Sequence, residues 1–94
     1  MSIGEQVAKT LDFIRVRKDH CIKILRSCVT ADQIEVSNDY FEEMIRQIHQ
    51  FIGKQEDEIS LFWINHYKER VIPMLRRAEA EYLDEACRQI GKCQ

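Results

Sequence analysis

The stretch from Asp57 to Gly91 constrains this chain most. It is the longest helix-compatible run in the sequence, with a single proline, Pro73, near its middle. Past Ile59, apolar residues recur at Phe62, Trp63, Val71, Leu75, Ala78, Tyr82, Ala86 and Ile90. Steps of three, four and seven dominate, the spacing that lines one face of a helix. From Met74 to Lys92 the chain is rich in Ala, Leu, Glu and Arg, all good helix formers. Arg77–Glu81 and Asp84–Arg88 set opposite charges four apart. Gly91 reads as a stop, and Lys92 suits the negative end of the helix dipole. Pro73 lacks a backbone donor and its ring crowds the carbonyl of Glu69. Arg70, Val71 and Ile72 before it are poor N-caps. The expectation is one continuous helix kinked at Pro73.

Within that stretch, Leu61-Phe62-Trp63-Ile64 is the densest apolar block in the protein. Residues on a helix are about 100° apart, so four in a row cover most of its circumference. A helix with one wet face cannot hide them all. The turn is either the middle of a core or a contact with another chain. Aromatic anchors dominate such contacts, which makes Phe62, Trp63 and Tyr67 candidates for partner binding. The acidic residues Glu56, Asp57 and Glu58 form a rim beside them that would steer a basic partner.

Ser2-Ile3-Gly4-Glu5 reads as a capping box at the start of a first helix. Val7, Leu11, Ile14, Lys18, Cys21, Leu25 and Cys28 then follow a seam of alternating fours and threes. Phe13, Val16, Ile22, Ile24 and Val29 widen this to a bundle face, and Arg15–Asp19 and Asp19–Lys23 read as surface pairs. Thr30 to Asn38 reads as an ordered connector: Thr30 to Gln33 would cap a short turn, with Ile34 and Val36 packing down. Asn38 or Asp39 would cap a second helix with the apolar face Phe41, Met44, Ile45, Ile48, Phe51 and Ile52. A break is expected between Gly53 and Asp57, because the acidic cluster that follows suits a new helix N-terminus. The seam nevertheless stays in phase through Gln55 to Ile59, and a glycine costs only about 1 kcal/mol inside a helix.

These elements predict an all-α fold: an antiparallel bundle of three helices (four if Pro73 breaks the last) with a long kinked C-terminal helix. With 94 residues the chain makes one domain, spanning 1–94. The first and third helices would be much longer than the second, and a second copy is the simplest cover for their overhanging apolar faces, so a homodimer is expected. No apolar run approaches the length of a transmembrane helix and no secretory signal is visible, so the expected location is cytoplasmic.

The net charge of −2 argues against a general binder of polyanions. Charge is unevenly spread: residues 1–30 carry six Lys/Arg and three Asp/Glu, and residues 31–60 carry two and eight. The basic first helix and the acidic middle are therefore expected to lie near each other, within or between chains. Cys21 and Cys28 are seven apart, about 10 Å along a helix, too far to share a zinc ion or a disulfide. Cys87 and Cys93 fail likewise, and a cross-pair such as Cys28 with Cys87 requires the first and third helices to run parallel. His20, His49 and His66 stand alone, without the His/Glu spacing of a di-metal bundle. There is no glycine-rich phosphate loop. No cofactor, metal or catalytic residue is expected.

The functional expectation is a non-enzymatic protein that binds another protein and modulates its activity or assembly. A small inhibitor of a nucleic-acid-processing complex is one form this could take, a class argument that no residue carries. A second reading is a nucleic-acid-binding regulator using Arg15, Arg17, Lys18, Lys23 and Arg26 on phosphates. A helical-bundle enzyme or metal carrier is a third.

Overall fold

A computed structural model describes residues 3–58 and 60–92, with the side chains of Asp57 and Glu58 outside the description. The Ser2 half of the capping box, Ile59 and Cys93 also fall outside the described residues. Three helices follow one another: α1 Ile3–Arg26, α2 Ala31–Glu58 and α3 Leu61–Lys92.

The helix ends have local causes. At the end of α1, Ser27 donates to the Ile24 carbonyl through both N–H and Oγ, and the Cys28 N–H reaches the Leu25 carbonyl. Gln89 of α3 also donates its amide to the Leu25 carbonyl at 3.0 Å, so a side chain of another helix supplies that acceptor with a second bond. Thr30 caps α2: its Oγ1 accepts from the Gln33 N–H at 3.2 Å, and Gln33 Oε1 accepts from the Val29 N–H at 2.7 Å. Ser60 precedes α3, and its carbonyl takes the first helical bond, from the Ile64 N–H.

The polar links fix the topology. Thr10 meets Tyr67, Lys18 meets Glu81, and Arg26 meets Glu85, so α1 and α3 run parallel. Phe41 stacks on Tyr82 at 4.1 Å, while Phe51 lies against Tyr67, so α2 runs antiparallel to α3. The result is an up-down-up bundle 51 Å long and 17 Å across. Its most extensive interface is between α1 and α3. Ile14, Leu25, Tyr67, Val71 and Leu75 form the fully buried centre, flanked by Phe41, Met44, Ile48 and Ile52 from α2.

Several expectations are corrected. The segment Thr30–Asn38 is helix from Ala31 on: Ile34 and Ser37 are buried one turn apart, which commits the segment to the bundle. Asn38 and Asp39 therefore lie inside α2 and cap nothing. No break follows Gly53, because Ile52 and Gln55 are both buried in register and hold the helix together across it. The acidic trio Glu56-Asp57-Glu58 consequently ends α2 instead of starting α3. At 28 residues α2 is longer than α1 at 24, which removes the overhang from which a dimer was expected. Helix α3, by contrast, passes Pro73 unbroken as expected, and Pro73 faces solvent. Phe13, Val16, Val29, Val36, Phe51 and Ile90, assigned to buried faces, are exposed. The surface pairs differ too: Arg15 bonds Asp12, Lys18 bonds Asp19, and Arg88 bonds Glu85.

Candidate functional site at the start of α3

The first turn of α3 carries four apolar residues, and the bundle takes only one of them. Ile64 shares the buried register of Tyr67 and Val71. Its three predecessors project from the bundle: Leu61 is 75% exposed, Phe62 73% and Trp63 47%. The Phe62 and Trp63 rings meet edge to face at 5.1 Å, and His66 sets its ring at a similar angle to Trp63 at 6.3 Å. Such edge contacts are favourable aromatic geometry, so the exposed rings hold one another in place.

Tyr67 belongs to a different environment. It is fully buried, and Thr10 Oγ1 lies 2.8 Å from its hydroxyl. Since the Thr10 hydroxyl donates to the Gln6 carbonyl, the Tyr67 phenol is the donor to Thr10. Burial pushes the phenol above its ordinary range. Tyr67 is thus a core residue and is set aside as a partner anchor. Of the acidic rim, Glu56 is exposed and bonded to Lys68 of α3; the Asp57 and Glu58 side chains are outside the described residues. The same end of the bundle, where α1 begins and α2 ends, holds two buried amide oxygens without a hydrogen-bond partner, those of Gln6 and Gln55. Buried acceptors of this kind are rare in a settled core.

The basic residues of α1 do not form one stripe. Lys18, which interrupts the apolar seam, is half-buried and bridges Asp19 at 2.9 Å and Glu81 of α3 at 2.6 Å. Its hydrogen bonds to those carboxylates raise its pKa. Arg15 bonds Asp12, Arg26 bonds Glu85, and the Arg17 guanidinium lies 5.4 Å from the centre of the Phe13 ring. Lys23 is exposed in the last turn of α1.

Cys21, Cys28 and Cys87 are not joined to one another by a disulfide, although α1 and α3 do run parallel. Burial raises the Cys21 pKa and so keeps the thiol protonated. Among the described residues no three His, Cys, Asp or Glu side chains come together as a metal site would require. No helix among them is long and apolar enough to cross a membrane.

The sequence reading missed one surface. Phe13, Val36, Tyr40 and Phe51 are exposed along α1 and α2, beside hollows that run between those two helices. The signal was present as apolar residues flanking each buried stripe, and it was absorbed into an oversized core. Compared with protein-family models, with curated proteins and with solved structures, the chain finds no match.

Proposed function

We propose that this chain is a non-enzymatic interaction protein that binds another protein through the start of α3 and thereby alters that partner's activity or assembly. The observation that carries this reading is the exposure of Leu61, Phe62 and Trp63 together on the first turn of α3. Leaving such side chains in water forgoes roughly 1.5–3 kcal/mol each relative to burial. Their edge-to-face contacts keep the rings ordered, which lowers the entropy cost of docking. Glu56 and Lys68 pair at the flank, so the described rim beside the apolar turn carries both signs of charge.

Trp63 is the chain's only tryptophan, so its fluorescence reports this site directly. Proteins captured on the immobilised chain are expected to be lost with Phe62→Ala/Trp63→Ala, while the exposed control Leu83→Ala retains them. The purified partner is expected to shift the Trp63 emission to shorter wavelength. Capture that is indifferent to the double substitution, in a variant whose helical content is intact, would reject this surface.

A further inference from the structure

Helices α1 and α2 leave a groove that α3 does not cover. Three hollows lie along it. The first, about 360 Å³, sits between Phe13 of α1 and Phe51 of α2. The second, about 300 Å³, has Arg17 on one side and Tyr40 and Glu43 on the other. The third, about 500 Å³, lies between Ile24 and Val36. Tyr40 and Val36 are more than half exposed, at 61% and 66%. Phe13 and Phe51 beside the first hollow are exposed as well.

Charge on the two sides of the groove is segregated. Of the charged residues that line the hollows, Lys9 and Arg17 belong to α1, and Asp32 and Glu43 to α2. Arg17 and Glu43 line the same hollow, so they lie at the same height along the bundle. Yet among the described residues no ion pair joins α1 to α2. Arg17 rests on Phe13, and Glu43 pairs with Arg46 of its own helix. Within one chain, a cationic edge and an anionic edge run side by side without meeting.

We propose that this face is a homodimer interface, with two copies related by a twofold axis parallel to the bundle axis. That operation keeps every residue at its height and sets α1 of each copy on α2 of the other. Arg17 of one copy then faces Glu43 of the second, while Phe13, Tyr40 and Phe51 close the hollows between them. The other in-plane twofold, perpendicular to the helices, would stack α1 on α1 and α2 on α2 and oppose like charges. Charge therefore selects both the occupant and the axis. The surface is separate from Phe62 and Trp63, so the two readings fail independently.

The test is absolute mass by light scattering in reducing buffer over a wide range of protein concentration. The expected mass is twice the 11.2 kDa of the chain. Tyr40→Glu is expected to give a helical monomer. Arg17→Glu and Glu43→Arg are each expected to weaken the dimer at least tenfold, and the two together to restore it, because both pairs in a symmetric dimer are then reversed. The charge pair decides the matter even if Tyr40→Glu does not fold. A wild-type monomer at every concentration overturns the proposal and leaves the groove to a different chain. A dimer that ignores the single reversals, or that the double reversal fails to restore, overturns it as well.

Discussion

The Tyr82 phenol donates to Asn38 Oδ1 at 2.7 Å, which leaves Ser37 Oγ as the donor to Tyr82 at 3.0 Å. One hydroxyl thus satisfies two polar groups near the start of α2, and its ring stacks on Phe41. Tyr82→Phe keeps the ring and removes the hydroxyl, leaving both partners short of a bond. The expected cost is about 1–3 kcal/mol, read as a fall in Tm of several degrees for a domain of this size. A second consequence concerns pH. Burial raises the Tyr67 and Tyr82 phenols above their ordinary range, and the Cys21 thiol with them. The unfolded chain releases phenol protons near the usual value of about 10 while the folded chain still holds them. Their stabilising contribution is therefore complete below that pH and is lost as pH rises through the folded pKa values. Denaturant midpoints are expected to fall above about pH 10, and more gently in Tyr82→Phe, where one titrating group is gone. An equal slope in the variant would remove Tyr82 from the account. None of this is visible in the sequence. Asn38 has the short polar side chain of a cap, and only the packing of α2 on α3 shows that its acceptor serves a phenol 44 residues away.

At the scale of the element, Gly53 sits inside α2 with no atom within 4 Å of where a Cβ would stand, and its φ is not positive. Gly53→Ala therefore adds helix propensity without a clash. It is expected to stabilise the chain by about 1 kcal/mol, raising Tm by roughly 4–8 °C. A neutral or lower Tm in thermal melts would show that the backbone at Gly53 departs from regular helix. The same residue explains why α2 was misread. Glycine followed by acids is a strong local signal for a stop and a new start, whereas the in-phase burial of Ile52 and Gln55 is a tertiary fact. Helices α1 and α3 were legible because their signals agree. The seam through Val7, Ile14, Cys21 and Leu25 is buried as its period requires, and so is the run Val71, Leu75, Ala78, Tyr82 and Ala86. The candidate site was legible in part. Four apolar residues in a row announce that some must be exposed, but periodicity alone could not place Tyr67 in the core and leave Phe62 and Trp63 outside it.

For the whole molecule, α3 is the spine. The polar links between helices all run to it among the described residues: Thr10, Lys18, Leu25 and Arg26 of α1, and Ser37, Asn38 and Glu56 of α2. No such link between α1 and α2 is among those of the described residues, and hollows lie along their seam. A bundle fastened this way should open by loosening α2 from α1 before α3 gives way, since regions with fewer buried contacts open at lower free energy. Hydrogen exchange is expected to be slowest in the Val71–Tyr82 portion of α3 and the Ile14–Leu25 portion of α1, and faster through α2. Concentration then separates the monomer's own stability from that of an assembly. If α1 and α2 are covered by a second copy, dilution adds exchange in their groove-facing segments, around Phe13 to Ile24 and Val36 to Phe51, and leaves the centre of α3 unchanged. Protection of α2 equal to that of α3 at every dilution would mean that the hollows do not weaken the seam, and α3 would lose its place as the element on which the other two depend.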